Sequence, residues 1–182
     1  MKTTKQTILL LAFLFANYGF SQTQEIVKIL NRELKIQVAK APLKIMGTDS
    51  SGVEYVSHII ADTMQIVKPF ALKNNVLSFT VERTLKSHNP QYYGRIIITQ
   101  EVALDKIIGV SKDIGIFLEA ESDSLTFNAT LYHEDGKVES YEIKQGYMRT
   151  YLFSPTSNNL PEDLIKAFKK AGITIQKGVW YD

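Results

Sequence analysis

From residue 64 onward the alternation of apolar and polar positions has a period of two. Met64, Ile66 and Phe70 mark a first strand, whose end Pro69 confines to a sheet edge. Asn74-Asn75 reads as a hairpin turn, because asparagine tolerates positive φ. Leu77, Phe79 and Val81 then alternate with Ser78, Thr80 and Glu82, the signature of a half-buried strand. Residues 95–100 form a strand on β-branched content, and Ile114, Ile116, Leu118 and Ala120 alternate in the next. A turn at 121–124 leads to Leu125, Phe127, Ala129 and Leu131 facing inward, with Thr126, Asn128, Thr130 and Tyr132 facing out. Asp135-Gly136 closes a hairpin whose return strand begins at Val138. Residues 147–153 make a last strand, with Met148, Thr150 and Leu152 on one side and Tyr147, Arg149, Tyr151 and Phe153 on the other.

Two stretches have a helical period instead. Ile26, Val27, Leu30 and Leu34 form a stripe over 25–34. The second begins after Pro155: Asn159 as N-cap, Glu162 three residues later as a capping box, and Leu160, Leu164, Ala167, Phe168 and Ala171 as one apolar face. Gly172 supplies its C-terminal stop, and 173–181 adds a terminal strand. Residues 36–63 are less regular: Ile36 and Val38 alternate, Pro42 interrupts, 47–52 is a loop, and 53–60 suits a strand or a short helix. The expected fold is α+β: an antiparallel β-meander or bent barrel capped by a C-terminal amphipathic helix, preceded by a short N-terminal helix.

The N-terminus has a different character. Lys2 and Lys5 precede the apolar run 8–16, and Gly19 and Ser21 sit at the −3 and −1 positions of a cleavage site before Gln22. Residues 1–21 therefore read as a signal peptide, too short to span a bilayer, and 22–182 as a single globular domain of about 160 residues. Within it, 22–63 is an N-terminal helix with an irregular extension and 64–182 the meander with its helix. The protein is expected to be exported, periplasmic or secreted. The chain has no cysteine, which excludes a lipid anchor after the apolar run, disulfides and thiol catalysis. The chain carries 21 Lys and Arg against 19 Asp and Glu, and removing Lys2 and Lys5 with the signal brings the two to parity. That balance argues against nucleic acid and anionic membrane surfaces as partners.

Val102-x-Leu104-x-x-Ile107-x-x-Val110, followed by two hairpin strands and a terminal amphipathic helix, resembles the second half of bacterial pleckstrin-homology-like domains. The resemblance covers about 95–172 and implies a bent antiparallel barrel plugged at one end by the helix. The chain as a whole is similar to small exported proteins of the Bacteroidetes type, with a signal peptide ending FSQ and a leading helix. It departs from the pleckstrin-homology pattern in its first 63 residues, and it has no Lys/Arg cluster in an early hairpin of the kind that binds phosphoinositides. The resemblance speaks to fold and leaves the ligand open.

Catalytic motifs are missing. The three histidines, His58, His88 and His133, belong to no HExxH or HxH pair, and His133-Glu134-Asp135 leads straight into a hairpin turn. There is no G-x-S-x-G elbow, and the ten glycines form no phosphate loop. Glu119 and Glu121 alternate on the exposed side of a strand, where solvated carboxylates are expected. No catalytic residue, metal ligand or cofactor site is assigned. The ligand-binding candidates are Tyr147, Arg149 and Tyr151 on one strand face and Tyr92 and Tyr93 in the loop 87–94, residue types enriched at binding hot spots. The alternative explanation for them is cross-strand tyrosine packing. The expected function is a non-enzymatic binding module for an envelope protein, peptide or small ligand. The alternative is a periplasmic hydrolase assembled from dispersed histidines and carboxylates.

Overall fold

A computed structural model describes residues 22–39, 44–59, 63–85, 94–113, 115–152 and 159–181. The expected signal segment, the Tyr92-Tyr93 loop, His88 and Phe153 lie outside these residues.

Residues 22–39 are one helix, α1. It runs past the expected boundary at 34, and Ile36 and Val38 belong to it rather than to a strand. The apolar stripe alone conceals this, because two of its inward positions are polar: Glu33 is 2% and Gln37 3% exposed, in line with Ile26, Leu30 and Leu34 at 0%. The Glu33 carboxylate is held by Arg32 at 3.0 Å. The irregular stretch that follows is a β-hairpin, β1 (Lys44–Thr48) and β2 (Glu54–Ile59), paired antiparallel. Asp49 organises its loop by accepting hydrogen bonds from Ser51 and Val53, and the Ser51 hydroxyl above all holds its carboxyl below the usual range.

The expected meander is a five-stranded sheet in the order β3 (Thr63–Lys73), β4 (Val76–Leu85), β5 (Gly94–Ala103), β8 (Leu125–His133), β9 (Val138–Gln145). β3 is an edge strand, as Pro69 requires, and its pairing with β4 slips around that proline. Asn74 and Asn75 turn the hairpin with φ of 52° and 63°. At the other edge, β9 is exposed over nearly its whole length. There Lys137 pairs with Glu139 and Lys144 with Glu142, charges that discourage edge-to-edge association. Lys137 also lowers the Glu139 carboxyl pKa.

Between β5 and β8 the chain leaves this sheet. After a 3-10 turn (Leu104–Lys106), β6 (Ile107–Lys112) and β7 (Ile116–Ala120) form a hairpin that nucleates a second sheet. Its order is β10 (Tyr147–Arg149), β7, β6, β11 (Gln176–Trp180), with β11 parallel to β6. The β6 strand went unread in the sequence because a register slip between Ile107 and Gly109 breaks its alternation. Among the described residues the sheets remain open and do not close into a barrel.

The inner faces of both sheets and the apolar faces of both helices contribute to one core. Phe70 stacks on Phe79 at 4.3 Å, and Leu118, Met148, Leu164 and Phe168 are fully buried. Each such side chain contributes about 1.5–3 kcal/mol of transfer free energy. The second helix, α2 (Leu160–Lys170), packs against β6 and β11. It ends as expected: Gly172 takes φ 79°, its N–H bonds to the Lys169 carbonyl and the Ile173 N–H to that of Phe168. Its start differs from expectation. Asn159 makes no side-chain cap, and Glu162, instead of completing a capping box, reaches Lys177 on β11 at 2.8 Å.

Two side-chain amides, one half-buried and one fully buried, take the place of backbone partners. Where the β3–β4 ladder slips, the Asn31 side chain on α1 donates to the Phe70 carbonyl and accepts from the Phe70 N–H, both at 2.8 Å. Gln100 on β5, 0% exposed, donates to the Arg149 carbonyl at 2.8 Å and accepts from the Arg149 N–H at 3.0 Å. A side-chain amide thus pairs the outer edge of β10 and ties the small sheet to the large one. The Gln145 amide donates to the next free carbonyl on that edge, Tyr147.

Candidate functional site

The outer face of the four-stranded sheet holds an open groove of about 520 Å³ lined by Ile108, Ser111, Phe117, Glu119, Ala120, Gly146, Tyr147 and Arg149. That volume is in the range of small-ligand sites. Register explains the lining. Tyr147 is opposite Glu119, which is opposite Gly109, while Arg149 is opposite Phe117, which is opposite Ser111. Tyr147, Arg149, Phe117 and Glu119 therefore stand on β10 and β7, and they face Gly109 and Ser111 on β6, where Ile108 also lines the groove.

The large half is an aromatic wall with a cation. Phe117 and Tyr147 meet edge to face, 5.6 Å between centroids at 78°, and the Arg149 guanidinium carbon lies 5.7 Å from the Phe117 centroid. Tyr147 remains 45% exposed. Arg149 makes no ion pair with a carboxylate among the described residues.

The small half is a seat for a carboxylate. A Cβ on Gly109 would lie 2.7 Å from Glu119 Oε2, and one on Gly178 would lie 2.8 Å from Oε1. Glu119 therefore reaches across β6 towards β11 and rests where two strands lack side chains. It forms no ion pair or hydrogen bond with the other described residues. Glu121, its neighbour on the sequence pattern, is used differently and pairs with Lys106 at 2.8 Å. From β10 to the gap between β6 and β11 is two and a half strand spacings, about 12 Å. At that separation in water the attraction between Glu119 and Arg149 is only about 0.3 kcal/mol, too little to bring them together. The groove keeps both charges, at opposite ends.

The structure divides the sequence-derived candidates. Tyr147 and Arg149 share the groove. Tyr151 does not: it is 3% exposed, its φ is 59°, and it bulges out of the pairing with β7, whose regular ladder ends at Arg149 although the Leu152 carbonyl still accepts from the Ile116 N–H at 2.8 Å. A left-handed residue reverses the side-chain alternation, so Tyr151 turns into the core beside Phe79, with the Arg83 guanidinium 5.6 Å from its ring. Burial raises its phenol pKa, and Arg83 opposes part of that shift. Thr150 supports the turn by donating from its hydroxyl to the Ile116 carbonyl at 2.6 Å. Tyr92 and Tyr93 lie outside the described residues.

Phe117, Glu119 and Ile108 were not recognised as site residues from the sequence. The available signal was two glycines, Gly109 and Gly178, at outward positions of strands, where a missing side chain marks close approach of another group. His58 lies on β2, opposite Ile45. His133 ends β8, with Nε2 3.6 Å from Glu139, beyond hydrogen-bond length and on the other sheet from the groove. No group of three His, Asp or Glu among the described residues could hold a metal ion. No described helix is long and apolar enough to cross a membrane.

Comparison with protein-family models, with curated proteins and with solved structures finds no match for this chain.

Proposed function

We propose that this protein is a non-enzymatic, exported binding module that takes its ligand in the groove on the outer face of the four-stranded sheet. The observation that carries this reading is the set of binding-type side chains brought together there without another structural task. Phe117 and Tyr147 offer an apolar wall, and Arg149 and Glu119 offer charges that no described residue neutralises. An aromatic pair flanked by unspent charge is the composition of a recognition surface. Export rests on the sequence pattern of 1–21 alone, and mass spectrometry of the mature chain tests it: a new N-terminus at Gln22 is expected.

The pleckstrin-homology-like resemblance remains part of this proposal. An antiparallel meander followed by one helix supports it, and the parallel terminal strand is foreign to it. That fold serves mostly as a binding scaffold, which is an argument from analogy.

Saturation-transfer NMR of a mixed library of short peptides and polar small molecules tests the binding reading. Ligands should be found with the native chain and lost with a Phe117→Ala/Tyr147→Ala double variant of unchanged thermal midpoint. Failure to find any ligand, or ligands indifferent to the double substitution, would refute it.

A further inference from the structure

The polarity of the groove deepens that reading, and rests on it. We infer that the groove is selective for a short zwitterionic peptide, two to three residues long, lying extended across the strands. Its ammonium would face Glu119 and its carboxylate Arg149.

Three observations define this ligand. First, the two charges are of opposite sign and sit at opposite ends of the groove. Glu119 is seated over Gly109 and Gly178 on the β6–β11 side, and Arg149 stands on β10 beside Phe117. Neither is paired with an opposite charge among the described residues. A ligand with one charge would satisfy one end and leave the other facing nothing, whereas a zwitterion satisfies both.

Second, the span fits. The charges are about 12 Å apart by strand spacing, shortened where the Arg149 side chain leans over Phe117. An extended peptide advances about 3.3–3.6 Å per residue, and a hydrogen bond of about 2.8 Å at each end adds to that reach, so two or three residues place their termini at the two ends. A free amino acid is too short to reach both.

Third, the Glu119 seat is built by shape. Both carboxylate oxygens lie against glycine backbone, and a Cβ at either glycine would fall under 3 Å from one of them. An acid held only by solvation would not need two glycines on adjacent strands. Phe117 and Ile108, the latter 48% exposed, lie along the groove and provide apolar contact for the central side chain.

The test is a set of titrations of the native chain with Ala-Leu-Ala, its N-acetyl form and its C-terminal amide, followed by NMR to millimolar concentrations. Capping either end should weaken binding by about tenfold or more, the loss expected of one charge-assisted hydrogen bond. Glu119→Gln should bind the free and N-acetyl peptides alike, and Arg149→Gln the free and amide peptides alike, each with an unchanged thermal midpoint. Gly178→Ala, which keeps the charge and displaces the carboxylate, should resemble Glu119→Gln. If the capped peptides bind as tightly as the free one and still require Phe117 and Tyr147, the zwitterion inference falls while the binding groove stands. If no form binds although other ligands do, the inference falls on that ground. If nothing binds in either experiment, both fall.

Discussion

Replacing Gln100 by leucine tests how the groove is held in place. The substitution preserves most of the volume at a fully buried position and removes two hydrogen bonds, 2.8 and 3.0 Å long, to the Arg149 carbonyl and N–H. Those two groups face away from β7, so no ladder partner replaces the amide. Each lost bond is worth about 1 kcal/mol, and leaving a buried group unsatisfied adds up to about 1–3 kcal/mol. The Arg149 backbone is only partly buried and leucine regains some transfer energy, so the net cost is about 2–3 kcal/mol. For a domain of this size that lowers the thermal midpoint by about 4–12 °C. Urea denaturation gives the stability change, and native-state hydrogen exchange locates it. The Arg149 amide should lose protection far beyond the global change, because β10 comes loose from the large sheet before the core melts. A Gln100→Leu variant within about 0.5 kcal/mol of the native chain, with Arg149 exchange unaltered, would refute the claim that this side chain joins the two sheets.

Three further outcomes follow from the same structure. Asn31→Leu removes the paired bonds to the Phe70 backbone and should cost about 1–2 kcal/mol by urea denaturation with an unchanged m value; no loss would mean that α1 docks by apolar contact alone. Tyr151 has its phenol pKa raised mainly by burial, so its stabilising contribution is complete below the unfolded value of about 10 and disappears as pH rises through the folded value. The native chain should accordingly lose more stability than Tyr151→Phe as pH rises above about 10, and identical slopes would contradict the burial. Glu162 is held below its ordinary pKa chiefly by Lys177, a contribution present above the unfolded carboxyl value and lost as pH falls through the folded one. Lys177→Met should raise the Glu162 carboxyl pKa in a carbon-detected NMR titration, and an unmoved titration would mean that the α2–β11 tie does not form in solution.

The period-two alternation revealed the large sheet because one of its faces is buried along most of its strands. The two asparagines at 74 and 75 and the glycine at 172 were legible for a local reason: a positive φ restricts residue type. What stayed hidden depends on contacts distant in sequence. Gln100 occupies an inward position among apolar residues, and nothing near it in the chain announces that Arg149 supplies its partners. Glu33 and Gln37 concealed the last turns of α1 in the same way. Extending the alternation past Arg149 puts Tyr151 on the surface, and one left-handed residue reverses it. The groove was half visible, in Tyr147 and Arg149. Its other half needs β6 and β11 side by side, a parallel pairing of strands 69 residues apart from Ile107 to Gln176.

The most direct measurement is an amide chemical-shift map of the native chain titrated with Ala-Leu-Ala. The largest shifts should fall on Ile108, Ser111, Phe117, Glu119, Tyr147 and Arg149, with Gly109 and Gly178 following them. Shifts gathered on the exposed β9 edge instead, or spread without focus over both sheets, would contradict binding in the groove.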